Sequence, residues 1–297
     1  MFLKWIFTSL IVFFCYFLAS AQTSAQRTPS SAMTNLRQLM ETQPTCLRVS
    51  VSGKSPMSQR TGYLQGMAAT LVRSYCRNDH VRSQMINGAR SAERDALIHL
   101  GVTNGTSPED ILVNTALVTL SLGFRESDGG DPQWLGVDQS NSRSQSHAVS
   151  AEAGIFQISY DVRGGESNWR AALDTIQQQY TNRTDLCFAT TFAEGLPRRE
   201  IPSRVVGVAN SPAHDFQTLM RNCPAAAAEY AMVVVRHNRR HNGPINRRET
   251  KINEVEPCRA FFKEALRRAQ TQPNYCRELG MPESPPQGRP HPNGIAI

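Results

Sequence analysis

The sequence lacks the patterns of several functional classes. It contains no C-x-x-C pair, and no histidine pair stands at ligand spacing beside a cysteine, so we predict no metal site and no cofactor. His237 and His241 are four residues apart, but no third ligand accompanies them, and we expect both to be exposed. Aromatic and basic residues do not interleave as they do in RNA-binding proteins, which argues against a nucleic-acid partner.

Strand and repeat patterns are also missing. No run of residues alternates convincingly between polar and apolar side chains, as a half-buried strand would. No segment of about 20–50 residues recurs along the chain, which argues against a repeat array. These absences leave a mainly helical fold as the most economical architecture.

The N-terminus has the layout of a secretory signal peptide. Lys4 precedes an apolar stretch over 5–18, and Ala19-Ser20-Ala21 follows as a cleavage site. The stretch is shorter than the about 20 residues that a membrane span needs. We therefore expect residues 1–21 to be removed, a periplasmic or secreted location, and no stable membrane insertion afterwards; the alternative is an uncleaved anchor. Loss of Lys4 lowers the formal charge from +7 to +6, which favours polyanionic partners without choosing among them.

The cysteine count fits export. The chain has seven cysteines, of which Cys15 lies in the leader. An even set of six remains, which predicts three disulfides in an oxidising compartment. The remaining cysteines are Cys46, Cys76, Cys187, Cys223, Cys258 and Cys276. Six cysteines allow about 15 pairings, and the sequence does not choose among them.

Apolar side chains recur at helical spacing between two polar ends. Residues 22–33 are expected to form a flexible leader, 281–297 a disordered Pro/Gly-rich tail, and 34–280 one mainly helical domain. Helical patterns cover 62–75, 111–124, 167–176, 224–235 with an end near Asn242-Gly243-Pro244, and 254–270. The stretch 131–166 is expected to be an irregular loop or a small sheet. Because 111–124 is apolar nearly all round, we expect a central buried helix over 108–126, capped by Ser107 and ended by Gly129-Gly130.

This central helix ends in a carboxylate. Glu126 lies at the negative end of the helix dipole, with Val118 and Leu122 on the same face. Both effects favour the protonated acid. A carboxylic acid that keeps its proton near neutral pH can protonate a glycosidic leaving oxygen. The alternative is a solvated glutamate paired with Arg125 or Arg143.

Two motifs around this carboxylate resemble a known superfamily. The R-E-S stretch that contains Glu126 and Ser127 is followed by a polar loop and then by Gly154-Ile155-Phe156-Gln157. Over about residues 107–245 this arrangement resembles the lysozyme-like superfamily of lytic transglycosylases and goose-type lysozymes, with their catalytic E-S pair and G-L-M-Q or G-L-F-Q segment. The resemblance implies a lysozyme-like helical domain, Glu126 as the catalytic acid, and Ser127, Phe156 and Gln157 as substrate-binding residues. Phe156 would present a flat apolar face to a sugar ring or belong to the core, and Gln157 would bind an acetamido group or orient the loop.

The third segment of that superfamily, A-Y-N-x-G, has only an incomplete counterpart. His241-Asn242-Gly243 is the preferred register, with His241 and Asn242 as substrate-binding residues, and His237-Asn238 is the rival. The tyrosine is missing in both. Asp138 and Asp161 lie near the places where goose-type lysozymes carry acidic residues that activate water. They are candidate second carboxylates, with loop capping as the alternative role.

The resemblance implies an exported enzyme that cleaves the MurNAc–GlcNAc β-1,4 bond of peptidoglycan. A lytic transglycosylase would use Glu126 first as an acid and then as a base. The alternatives are a lysozyme-type hydrolase, a chitinase or chitosanase of similar fold, and a non-catalytic wall-binding protein. We expect a monomer whose partner is the peptidoglycan glycan strand. A basic set of arginines is expected on a solvated face, where it could also contact carboxylates of the stem peptides. The set comprises Arg236, Arg239, Arg240, Arg247 and Arg248.

Overall fold

Helices make up most of the chain that this computed structural model describes, which comprises residues 31–51, 53–102, 107–131, 149–163, 167–196, 209–272 and 274–281. The α-helices in these ranges are α1 (Ser31–Thr42), α2 (Pro44–Leu47), α3 (Thr61–Cys76), α4 (His80–Asn87), α5 (Ala96–His99), α6 (Pro108–Ser127), α7 (Ser167–Asn182), α8 (Ala189–Phe192), α9 (Pro212–Asn222), α10 (Pro224–His237), α11 (Gly243–Asn246), α12 (Ile252–Val255), α13 (Arg259–Thr271) and α14 (Asn274–Glu278). Short 3₁₀ helices cover Met57–Gln59, Tyr160–Arg163, Thr184–Cys187, Arg239–His241 and Glu256–Cys258. The described ranges contain no strand, and the fold is mainly α, as the sequence predicts.

Helices α3, α6 and α10 form the centre of the fold and pack against one another. Their side chains are apolar or small around nearly the whole circumference, and every residue of α10 is buried. At the start of α6, the Ser107 hydroxyl accepts a hydrogen bond from the Asp110 N–H at 3.1 Å, and Pro108 occupies the first turn. The prediction of a central buried helix over 108–126 is confirmed, with Ser127 as its last residue.

Helix α10 ends earlier than its apolar pattern suggests. It stops at His237 and not near Asn242-Gly243, because Asn238 leaves the helical conformation with φ at −144°. The side chain of His237 is buried, stacks on Trp169 with ring centroids 6.1 Å apart, and donates a hydrogen bond to the Gln84 carbonyl at 2.9 Å. The expectation that His237 is exposed is therefore wrong.

The last predicted helix, over 254–270, is divided into two pieces. Helix α12 ends at Val255, the 3₁₀ turn that contains Pro257 follows, and α13 begins at Arg259. Pro257 has no N–H to donate and is favoured at such a helix start, which explains the division.

The two ends of the described chain meet. The Ser31 hydroxyl and the Ala32 N–H both donate to the Glu278 carboxylate, and Ala32 is fully buried. The predicted flexible leader 22–33 is therefore wrong for its last three residues, which belong to α1. Residues 1–30 and 282–297, with the predicted signal peptide and nearly all of the predicted tail, lie outside the described residues. Met281 at the start of that tail is buried.

Three disulfides join the six cysteines, as the even count predicts. They pair Cys46 with Cys258, Cys76 with Cys276, and Cys187 with Cys223. Two of them connect positions about 200 residues apart, with separations of 212 and 200. Such bonds fit a secreted or periplasmic protein. In the part of the chain that the structure describes, no helix has both the length and the hydropathy for a bilayer crossing.

Protein purified without reductant should therefore contain no free thiol once residues 1–21 are removed. Replacing Cys187 and Cys223 together by serine should lower the free energy of unfolding by about 2–4 kcal/mol, because the unfolded chain loses a crosslink. Thiol titration under denaturing conditions and urea unfolding check the two expectations. Several reactive thiols in the parent protein would contradict the three pairings.

A group of buried charges lies between α3 and α10. The fully buried Glu229 has one carboxylate oxygen 3.2 Å from Nη1 of Arg77 and the other 3.9 Å from Nε of Arg73. The Ser74 hydroxyl donates to the same carboxylate at 3.4 Å. The Arg73 guanidinium also lies over the Tyr180 ring, 4.4 Å from its centroid. Because these charges are removed from water, each depends on the others for stabilisation.

Candidate active site

The C-terminal end of α6 is fixed by contacts with the segment before α3. Asp128, the residue after the helix, adopts the left-handed conformation with φ 51°. Its carboxylate accepts hydrogen bonds from the Ser55 N–H at 2.9 Å and from Arg60 Nη2 at 2.7 Å. Burial alone would raise the pKa of Asp128, but these hydrogen bonds hold it below its usual value. They fix the turn immediately after Glu126 and bring Lys54, the neighbour of Ser55, towards the helix end.

The 153–158 segment packs against the last turns of α6. A Cβ atom at Gly123 would lie 2.8 Å from the Phe156 ring, so only glycine lets this ring approach the helix so closely. Gly154 has φ of +75°, and its missing Cβ would lie 2.3 Å from the Met220 carbonyl. An antiparallel bridge between Ala153 and Ile158 closes the segment. The two motifs that the sequence analysis connects are therefore neighbours in space.

The third segment also reaches this region. The Ser159 N–H donates to Nε2 of His241 at 3.3 Å, which links the 153–158 segment to the chain after α10. Helix α11 packs on α6. Arg247, just beyond α11, forms a two-pronged ion pair with Glu249 at 2.6 and 3.0 Å. The charge of Arg247 also acts on Glu126, so this segment contributes a cation to the helix end.

Glu126 is partly buried at the point where these segments meet. Burial raises its pKa from a usual value of 4.5 to about 8, and the negative charge of Glu152 adds to the rise. The positive charges of Arg247 and Lys54 lower the pKa of Glu126, and the negative charge of Glu249 raises it. A carboxyl group with this pKa holds its proton at neutral pH, which a general acid requires. Arg125, one of the two alternative partners from the sequence, pairs with Glu254 at 3.0 Å, and Arg143, the other, lies outside the described residues.

Ser127 and Phe156 have structural positions. The Ser127 hydroxyl donates to the Gly123 carbonyl at 3.1 Å and accepts from the Gly130 N–H at 3.0 Å, and the side chain is fully buried. Phe156 is also fully buried, 6.4 Å from Tyr63 between ring centroids. Neither side chain is exposed to solvent, and Phe156 has the core position that the sequence left open as its alternative role. Ser127 orders the turn after Glu126, and Phe156 attaches the 153–158 segment to the core.

Gln157 stabilises its own turn. It has a positive φ of 45°, and its side-chain amide donates to the Gly154 carbonyl at 2.7 Å. The side chain is only partly buried, so it lies at the surface of the turn next to α6. The sequence leaves two roles open for Gln157, and this hydrogen bond supports the one in which the side chain orients the loop. The exposed part of the side chain remains accessible to a ligand.

The four remaining predicted site residues differ in their exposure to solvent, and one of them lies outside the described residues. Asn242 is buried, 3 % exposed, and its Nδ2 has no hydrogen-bond partner among the described residues. His241 is partly buried, so the expectation that it is exposed is wrong. Burial lowers the pKa of its ring, although nearby Asp161 opposes this, so the ring is neutral at neutral pH. Asp161 is exposed and accepts a hydrogen bond from the Ser159 hydroxyl. Asp138 and the polar loop around it lie outside the described residues.

Arg236 differs from the other arginines of the expected basic face. It is buried, with Nη2 3.2 Å from the Asp95 carboxylate and 2.9 Å from the Ile86 carbonyl. Its assignment to a solvated face is wrong, because α10 is enclosed on all sides up to its end. Arg240, Arg247 and Arg248 are exposed.

Sequence reasoning missed Glu152. This residue lies between the buried Ala151 and Ala153, is itself partly exposed, and acts electrostatically on Glu126. Its position two residues before Gly154 was a usable signal, since that segment was already expected beside Glu126. Among the described residues, no three His, Cys, Asp or Glu side chains are placed to hold a metal ion.

The raised pKa of Glu126 predicts a pH-dependent cost to stability. A carboxyl with a pKa of about 8 when folded and about 4.5 when unfolded binds its proton more tightly in the folded state. Its stabilising contribution is complete below pH 4.5 and is lost as the pH rises through 8. Glu126→Gln removes this dependence, so its stability relative to the parent should increase by at least about 1 kcal/mol between about pH 5 and 8. Urea unfolding at several pH values measures the difference.

Glu264→Gln is the matched control for this measurement. Hydrogen bonds from Arg267 lower the pKa of Glu264. The carboxylate of Glu264 therefore stabilises the fold at neutral pH, and this stabilisation is lost as the pH falls, opposite to the behaviour of Glu126. A pH-independent difference between Glu126→Gln and the parent would contradict the raised pKa.

Compared with protein-family models, with curated proteins and with solved structures, the chain matches none, so its function is inferred from the geometry of this site.

Proposed function

We propose that the chain is an exported enzyme that cleaves the MurNAc–GlcNAc β-1,4 bond of peptidoglycan, with Glu126 as the general acid. The observation that carries the proposal is the partly buried carboxyl group at the end of the central helix α6, where burial raises the pKa of Glu126 to about 8. Structural glutamates at helix ends are usually solvated and ionised, whereas a general acid must hold a proton at working pH. The convergence of the 153–158 and 239–249 segments on this residue adds support.

The favoured reaction is that of a lytic transglycosylase. Protonated Glu126 would donate its proton to the leaving glycosidic oxygen as the bond breaks. The resulting carboxylate would then remove the proton from the sugar's own hydroxyl, which closes a 1,6-anhydro ring. This sequence needs one carboxyl group and no water, and a pKa near neutrality serves both the acid and the base step.

Hydrolysis is the second candidate, and Glu152 is the observation that favours it. Hydrolytic glycosidases usually carry two carboxyl groups, about 5 Å apart for retention or about 6.5–9.5 Å apart for inversion. Glu152 carries a negative charge near Glu126 and is partly exposed, as a water-activating base would be. Glu152→Gln would then abolish hydrolysis, whereas a transglycosylase would retain activity with a shifted pH dependence.

The surroundings of Glu126 suit an anionic polymer. Lys54 and the exposed Arg247 place positive charge beside the acid, and the chain as a whole carries +7. Peptidoglycan has carboxylates on its stem peptides and meets exported, disulfide-containing proteins. An uncharged chitin chain would gain less from these cations.

The test is incubation of purified peptidoglycan with the mature chain, followed by mass spectrometry of the soluble fragments. Muropeptides lighter by one water than hydrolytic fragments indicate a transglycosylase, and reducing ends indicate a hydrolase. Chitin and chitosan oligomers are run in parallel. If no glycan is cleaved but peptidoglycan retains the protein in a pull-down, the non-catalytic wall-binding alternative replaces the enzyme proposal.

A further inference from the structure

A surface cavity of about 380 Å³ lies beside the candidate active site. Gly130 and Ile155 line it, and these residues belong to the turn after α6 and to the 153–158 segment, the two chain segments that position Glu126. Its volume falls within the range of small-ligand sites. The exposed residues Ala189 and Thr190 stand at its border, so a ligand can enter from solvent.

The described residues of the lining combine an apolar wall with the cation Arg221. Phe192, Leu196 and Pro224 supply apolar surface, and Arg221 at the end of α9 also lines the cavity. Arg221 is only 9 % exposed, and burial lowers the pKa of its guanidinium. A poorly hydrated guanidinium forms strong, two-pronged hydrogen bonds with carboxylates. The cavity is therefore complementary to a carboxylate carried on a small apolar group.

A second cavity of about 510 Å³ continues from the first. The two share Ala189 and Asn222 in their linings. The second is lined by Thr218, by His214 and by the exposed carboxylate of Asp215. A ligand that extends through both meets a cation first and a carboxylate afterwards.

We propose that these joined cavities bind the stem peptide of peptidoglycan while the glycan strand lies at Glu126. Alanine methyl groups fit the apolar wall, the free carboxylate of the second residue meets Arg221, and the side-chain amine of the third residue meets Asp215. The identity of this peptide rests on the proposed function, whereas the charge pattern of the cavities does not. The enzyme then prefers glycan that still carries its peptides over glycan from which an amidase has removed them.

The first test is binding of a synthetic tripeptide, L-Ala-γ-D-Glu-L-Lys, followed by NMR or calorimetry. Its matched control is the same tripeptide with the glutamate carboxylate amidated. The parent should bind the acid form about tenfold more tightly than the amide, because one charge-assisted interaction is lost in the amide. Arg221→Met should remove this difference, and Arg267→Met, an exposed arginine on α13, should leave it unchanged.

A second variant covers the case in which Arg221→Met does not fold. Ala189 is exposed at the junction of the two cavities, so Ala189→Trp blocks both without disturbing the core. It should weaken binding of both tripeptides. Equal affinities of the parent for the acid and amide forms, or no binding of either, would overturn the proposal.

The glycan experiment separates this proposal from the proposed function. The ratio of cleavage rates on peptide-bearing and peptide-free strands should exceed one for the parent and fall towards one for Arg221→Met and Ala189→Trp. A parent that binds the tripeptide but cleaves no glycan supports the assignment of the cavities and contradicts the proposed enzyme activity. A parent that cleaves both strands equally and binds no tripeptide supports the proposed enzyme activity and contradicts the assignment of the cavities.

Discussion

Glu126→Gln should lower the rate of peptidoglycan cleavage by at least about 10²–10⁴-fold, the usual contribution of general acid–base catalysis. Glutamine keeps the shape and hydrogen-bonding capacity of the side chain but can neither donate nor recover a proton. Release of soluble muropeptides, followed by mass spectrometry, measures the rate. Because the ionised carboxyl is penalised in the folded state, the variant should be at least as stable as the parent at neutral pH.

The matched control lies on the same helix. Glu109 is in the first turn of α6, at the opposite end from Glu126, and Glu109→Gln should cleave as fast as the parent. Arg247→Met should retain cleavage but shift its alkaline limit upwards, because Arg247 opposes the rise in the pKa of Glu126. A Glu126→Gln protein that cleaves as fast as the parent would show that another group supplies the proton.

Glu229→Gln should lower the free energy of unfolding by about 3–5 kcal/mol, the usual effect of removing one partner from a buried ion pair. Glutamine keeps the volume but removes the charge that faces Arg73 and Arg77, with distances of 3.9 and 3.2 Å. The buried Arg73 would then lose the carboxylate beside it, and Arg77 would keep only its contact with the partly exposed Asp79 at 3.3 Å. Thermal and urea unfolding measure the loss, which is a large fraction of the stability of an ordinary domain.

Two comparisons make this interpretation specific. Glu264→Gln removes a partly exposed carboxylate that pairs with Arg267 and Arg268, and should cost less than about 1 kcal/mol. Replacing Arg73, Arg77 and Glu229 together by methionine removes all three charges and should restore much of the stability that Glu229→Gln loses. If Glu229→Gln unfolds at the same urea concentration as the parent, the buried charges do not stabilise one another as the distances indicate.

The local rules of helix formation explain what the sequence predicts well. Ser107 and Pro108 mark the start of α6, and its uniformly apolar surface identifies it as the central helix. Glu126 could be identified from the same pattern, because a carboxylate that ends a buried helix has few ways to be solvated. The approach of the 153–158 segment followed from its resemblance to a known arrangement.

Contacts between distant parts of the chain explain what the sequence did not predict. The anchoring of Asp128 by Ser55 and Arg60 joins residues about 70 positions apart, and no periodicity reports such a pairing. The sequence around Arg236 is typical of a surface cation, and only the structure shows that Arg236 pairs with Asp95. Glu152 was overlooked because only the fold shows that it is partly exposed between two buried alanines and acts electrostatically on Glu126.

The two long-range disulfides also determine what a protease can do to this chain. Cys46–Cys258 and Cys76–Cys276 close overlapping covalent rings that together contain every peptide bond from residue 46 to residue 276. A single cut anywhere in this span opens a ring but releases no fragment, so the nicked chain keeps its mass on a non-reducing gel. Losing any part of this span takes a second event, either another cut or reduction of a disulfide. One cut in this span therefore leaves the chain in a single covalent piece, a property that fits a secreted or periplasmic protein exposed to proteases.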